Sequence, residues 1–138
     1  MSIQLGQKGK FSKTVSETDV YGFAGITGDF NPVHINNEAC KGSIFGKRIA
    51  HGMLVGSFIS TVLGMYMPGP GTIYMEQDLK FLKPVFYGDT VTAEVTVSEV
   101  INEDKGIYRL DTVVVNQHDE RVIIGYAVVK FKEANEYE

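Results

Sequence analysis

A carboxylate and an imidazole stand five residues apart in the run Thr27-Gly28-Asp29-Phe30-Asn31-Pro32-Val33-His34. Aspartate and histidine at that separation supply a proton acceptor and a proton donor around a single water. Asn31-Pro32 keeps the segment out of regular helix, because the residue before proline is driven from the α region and proline has no amide hydrogen to donate. Five extended residues would span about 17 Å, so a turn must bring both side chains to one small molecule. Free aspartate and histidine titrate near 3.9 and 6.5, so the default pair at neutral pH is a carboxylate with a mostly neutral imidazole. Burial and mutual charge decide which group holds the proton. An Asp and an Asn at a tight turn also commonly cap backbone amides. The loop alone leaves both roles open.

The elements that must position this pair follow from periodicity. A strand is expected over Gly9 to Val15, and Ser16-Glu17-Thr18-Asp19 then reads as an N-cap with acidic residues in the first turn. The helix that follows runs to about Ile26 with Val20, Phe23 and Ala24 on its apolar face, and Gly28 ends it. Asn36 caps a short helical turn through Cys40. Gly52 to Tyr66 is the central helix, apolar on most of its circumference and so expected to be buried. Its glycines at 52, 56 and 64 cost about 1 kcal/mol each against alanine, which points to close approach of a backbone or a ligand. Pro68-Gly69-Pro70-Gly71 stops it. The remainder reads as antiparallel strands at Thr72 to Leu82, Thr90 to Val100, Ile107 to Asn116 and Val122 to Lys132, with a frayed tail from Glu133 to Glu138. Periodicity alone therefore predicts an α+β fold.

At 138 residues the chain suits one domain spanning residues 1–138. Cys40, the only cysteine, excludes an intramolecular disulfide, and the opening Met-Ser-Ile-Gln-Leu-Gly-Gln-Lys lacks the apolar core of a secretory signal, so a cytoplasmic protein is expected. The stretch from Ile49 to Pro68 is broken by Gly, Ser and Thr and reads as a buried helix rather than a membrane span. A net charge of −4 without a basic patch argues against nucleic-acid binding.

Three motifs recur in order over nearly the whole chain. Tyr21-x-Phe23 leads into Ile26 to His34 and Ala39; Ile49-Ala50-His51-Gly52-Met53-Leu54 follows; Gly71-Thr72-Ile73-Tyr74 and Phe81-Leu82-Lys83-Pro84-Val85-Phe86-Tyr87-Gly88-Asp89-Thr90-Val91 complete the set. Together they resemble the signature of the MaoC-like, R-specific enoyl-CoA hydratases (hydratase 2). Arg48 departs from the pattern, standing where many relatives carry proline.

The resemblance implies a hot-dog fold, in which an antiparallel sheet wraps a long helix and an overhanging segment carries the Asp/His motif. It implies R-specific hydration of trans-2-enoyl-CoA, with one water between Asp29 and His34 adding its oxygen to C3 and a proton reaching C2. It puts the enolate oxygen at the Gly52 backbone N–H, where the dipole of the central helix is positive, and matches Ser60 to an active-site serine. Asn31 fixes the loop through its amide beside the substrate, and His51 is either ligand-facing or a hydrogen-bonding residue at the helix start. Leu63 and Val128 match positions lining the acyl tunnel in relatives, and their medium size suggests short acyl chains. Lys41, Lys47 and Arg48 are candidates for the coenzyme A phosphates. A homodimer or larger homo-oligomer is expected, because a lone sheet leaves an edge to pair.

Other readings compete. His34, His51 and Asp29 are also the ligand set of a facial triad, but no His-x-Asp/Glu or Cys-rich spacing supports it, and neither metal nor cofactor is expected. The same fold serves thioesterases, non-catalytic acyl-binding modules and dehydratases acting on acyl-carrier-protein thioesters. The last differs only in the carrier of the acyl group.

Overall fold

Strict alternation of valine with polar residues makes Thr90–Asn102 a strand half buried on one face. A computed structural model describes residues 3–133, and in it this strand, β3, lies second in a sheet built from β1 (Lys8–Thr14), β2 (Thr72–Phe81), β3, β4 (Ile107–Val115) and β5 (Arg121–Phe131). The sheet order is β1-β3-β4-β5-β2 and every pair is antiparallel. β1 and β2 are therefore the edges, and the whole helical segment passes from one to the other.

That segment holds α1 (Glu17–Thr27), α2 (Pro32–Ile35), α3 (Asn37–Lys41) and α4 (Gly52–Thr61). Ser16 caps α1 through a reciprocal box with Asp19, and Gly28 ends it in the left-handed region at φ 81°. The expected Asn36 cap of α3 is present, its side chain accepting from the Ala39 amide. Expected strand and helix limits hold to within two residues. The last turn of the central helix widens to π geometry over Val62–Tyr66, where the Met67 amide bonds the Val62 carbonyl at 2.8 Å. Residues 134–138, most of the tail expected to fray, lie outside the described residues.

α4 packs on β1, β3 and β4, and Val55, Ile59, Val62 and Leu63 meet Val95, Leu110 and Val114 in one core. The helix lying against one antiparallel sheet is the hot-dog arrangement that the motifs imply. Two expectations need correction. Asn31-Pro32 does not merely break a helix: Asn31 caps α2 by accepting from the Val33 amide, and Pro32 opens it, because the first helical position needs no amide donor. Nor is the central helix buried all round, since Met53, Ser57, Ser60, Met65 and Tyr66 are exposed along the side turned from the sheet. A single sheet covers only one face of a helix, however apolar the other.

Of the three helix glycines, two mark close approach. A Cβ at Gly56 would stand 3.1 Å from Leu79 of β2 and one at Gly52 would stand 2.7 Å from the Phe81 ring, whereas Gly64 has open space. The tightest glycine is on β5, where a Cβ at Gly125 would overlap the Asp78 carbonyl oxygen. Backbone cannot yield there as a side-chain end can, so Gly125→Val is expected to cost about 3 kcal/mol or more in urea unfolding.

Candidate active site

Asp29 follows directly on the Gly28 cap of α1 and is exposed. Its carboxylate accepts from the Asn31 amide at 3.2 Å, and its own amide donates to Thr27 Oγ1 at 3.1 Å. His34 sits in α2 and is only 9 % exposed. Its Nδ1 lies 2.9 Å from the Ile49 carbonyl. A carbonyl only accepts, so Nδ1 carries the hydrogen and the lone pair of the neutral ring is on Nε2. Burial holds the His34 pKa below its ordinary value, with the nearby His51 pushing the same way and the Ile49 carbonyl and Asp29 pulling against them.

His51 binds the two parts of the site together. Its Nε2 donates to the Asp29 carbonyl at 2.9 Å. Its ring stacks on that of His34, with centroids 3.9 Å apart and planes 27° apart, and tilts against Phe23 on its other side at 4.9 Å. His51 is also the N-cap residue of α4 but gives no side-chain capping bond, which leaves the leading amide of Gly52 uncapped at the positive end of the helix. Among the described residues its Nδ1 is buried without a hydrogen-bond partner.

Asp29, His34, His51 and Gly52 all line one cavity of about 660 Å³. Ala50, Val55, Val85 and Ile123 supply buried apolar wall, and the exposed Met53, Phe81, Leu82 and Lys83 supply its rim. That volume suits a small-molecule ligand. A carboxylate and a free imidazole nitrogen facing an apolar cavity, beside an uncapped helix amide, can move a proton and hold a developing oxyanion.

The other anticipated residues are distributed differently. Asn31 caps α2 through its side-chain oxygen and does not line the cavity. Ser60 is on the exposed side of α4, off the cavity wall. Leu63 lies in the core at 1 % exposure, and Val128 alternates with the buried Ala127 and Val129, so it faces the outer side of β5; neither lines the cavity. Lys41 pairs with Glu38, Lys47 covers the Phe86 ring at 4.4 Å and Arg48 pairs with Glu17. None of these cations lines the cavity, whereas Lys83, paired with Glu120, does. Lys83 precedes Pro84 inside the third motif. Its position in the motif does not by itself signal the cavity; that placement needs the fold.

One donor atom each from Asp29, His34 and His51 lie within 4.8 Å of one another. The lone pairs of an imidazole lie in the ring plane, and two stacked rings aim them alongside each other rather than at one ion. The donor set therefore fits a small molecule between carboxylate and Nε2 better than it fits a metal.

A family model described as MaoC like domain matches residues 2–119. The (R)-specific enoyl-CoA hydratase of Rhodospirillum rubrum is 52 % identical over 103 residues, 75 % of this chain and 72 % of that protein. The enzyme of the same name from Aeromonas caviae is 43 % identical over 129 residues, covering 94 % of this chain and 96 % of its own. A solved structure titled (R)-hydratase from A. caviae involved in PHA biosynthesis superposes with a TM-score of 0.91 at 42 % identity, covering 95 % of this chain and 98 % of that one. The chain belongs to the MaoC-like domain family. No helix among the described residues is long and apolar enough to cross a membrane.

His34 is expected to titrate below the ordinary value of about 6.5 when followed by imidazole NMR. Between that value and the lower folded one the unfolded chain binds more protons, so the part of stability linked to His34 is present above pH 6.5 and declines as pH falls through the window. The decline should vanish in His34→Gln.

Proposed function

We propose that the chain hydrates trans-2-enoyl-CoA to (R)-3-hydroxyacyl-CoA, and by the reverse reaction dehydrates it. The observation that carries this reading is the meeting of Asp29, the neutral-ring nitrogen of His34 and the Gly52 amide on one apolar cavity. The thioester carbonyl oxygen takes up charge as water adds to C3, and the Gly52 N–H at the head of α4 meets that charge. Asp29 and His34 act as one acid/base unit: one hydrogen of the water stays on the new hydroxyl, the other is passed through the pair to C2, and water oxygen bonds C3. Both new bonds form on the face of the substrate turned to the pair, which makes the addition syn. The R configuration rests on the relatives, whose names carry both the stereochemistry and coenzyme A.

Buried Val55, Val85 and Ile123 form the apolar wall against which we place a short acyl chain. Ser60, exposed on α4, joins the site only if another surface covers that side of the helix. We assign that cover to a second copy of the chain. β2 is an unpaired edge with Ile73, Tyr74 and Met75 exposed in succession, and Met53, Met65 and Tyr66 are exposed on the helix. An edge of that kind invites pairing with its own copy. The reduced, buried Cys40 fits a reducing compartment such as the cytoplasm.

Crotonyl-CoA should lose its enoyl absorbance on addition of the protein and yield R-3-hydroxybutyryl-CoA by chiral analysis. Asp29→Asn and His34→Ala should each lower kcat by about a thousandfold or more while the protein stays folded. A folded Asp29→Asn that retained full turnover would remove the assignment, and S product would remove the stereochemical part. Chelator treatment should leave the rate unchanged. Sedimentation equilibrium should report a dimer, and Met75→Lys on the β2 edge should shift it toward monomer.

A further inference from the structure

α2 is a single helical turn, too short to hold itself, yet it must keep the His34 ring on station. Its carbonyls are held from outside. Val33 accepts from the Ile49 amide at 3.1 Å and from the Cys40 thiol at 3.2 Å. The next two carbonyls are each met by a tyrosine: the Tyr87 hydroxyl donates to the His34 carbonyl, and the Tyr21 hydroxyl to that of Ile35 at 3.5 Å. One arginine ties both tyrosines. Arg48 donates from Nη1 to the Tyr21 hydroxyl oxygen at 2.9 Å, and its guanidinium carbon lies 4.5 Å over the Tyr87 ring. Its Nη2 is anchored at 2.9 Å on Glu17, in the first turn of α1.

We infer that Arg48 and Tyr87 form a strut that positions the His34 imidazole from behind, through the backbone of α2. The inference rests on the hydratase reading for its kinetic consequence, while its geometry stands apart from it. An isolated surface ion pair contributes little. Arg48 differs because its side chain is only 22 % exposed and its planar fork serves two partners at once while its face covers a third, which lysine cannot reproduce. Burial pushes the Tyr87 hydroxyl pKa up against the pull of Arg48, so the hydroxyl keeps the hydrogen it donates. The strut also accounts for Arg48 without a phosphate: both terminal nitrogens are engaged inside the protein, and the residue stands off the cavity wall.

The two roles separate in kinetics. If Arg48 held a coenzyme A phosphate, Arg48→Met would raise KM for crotonyl-CoA with kcat intact, and Tyr87→Phe, which removes one oxygen, would do nothing. A strut predicts that each variant lowers kcat by about tenfold with KM within about twofold. It also predicts that the double variant is no slower than the worse single one, because both remove the same support. The His34 imidazole is faced by His51 from the head of α4 and Asp29 from the preceding turn. NMR titration of that ring reports on the strut without any turnover, and both variants should move it upward as the loosened ring gains water.

If the wild type fails to hydrate crotonyl-CoA, the functional reading falls and the NMR titration alone decides the strut. Folded variants with unchanged kcat and an unchanged His34 titration overturn the inference, as does an effect confined to KM. Should Arg48→Met not fold by circular dichroism, Tyr87→Phe carries the same test alone.

Discussion

Most carbonyls in a one-turn helix have no amide four residues on to satisfy them, and a chain that leaves such groups unpaired loses stability at each one. The turn between α1 and α3 that carries Asp29 and His34 is largely a succession of such carbonyls. Asp29 is met by the His51 ring, Val33 by the Ile49 amide and His34 by the Tyr87 hydroxyl, while Pro32 alone finds its amide four residues on, at Asn36. The donors from outside the turn come from the approach to α4 and from the connection between β2 and β3, so the turn takes its shape from segments distant in sequence. The bridge pairing Ile49 with Phe86 joins those two segments to each other. Satisfying the backbone and placing Asp29 and His34 are the same act in this fold.

Two histidines divide the work because their ring nitrogens face different partners. His34 spends Nδ1–H on a carbonyl and keeps Nε2 for the cavity, while His51 spends Nε2–H on the Asp29 carbonyl. Burial disfavours charge on His34, and a charge on the ring stacked 3.9 Å away would disfavour it further. The site therefore favours the neutral imidazole of His34.

α4 works through its two unlike ends and two unlike sides. Its head offers an uncapped amide, kept clear by a glycine whose Cβ would strike Phe81. Its sheet-facing side is core and its opposite side is exposed apolar surface. A helix so apolar, covered on one side only, makes the cavity an open-walled site along the same surface as the unpaired β2 edge. Met53 and Phe81 are at once exposed and part of the cavity lining.

Local order was legible in the residues themselves. Alternation at period two marked β3, turn signals bounded β4 and β5, Ser16 and Gly28 bounded α1, and Asn36 capped α3, because each signal depends only on neighbours in the chain. Asp29, His34 and Gly52 stood out by residue type and motif, and the fold brings them to one cavity. Proline in Asn31-Pro32 was read as a stop, yet it opens α2, since the same missing amide suits both the end and the first position of a helix. Leu63 and Val128 were placed by analogy, but which side of a helix or strand meets the cavity depends on how the sheet curls and which strand becomes an edge. Lys83, the role of His51 and the support of α2 by Arg48 and Tyr87 arise from contacts between residues up to 53 positions apart. Such contacts follow from the order β1-β3-β4-β5-β2 and not from any local pattern, so tertiary structure alone decided them.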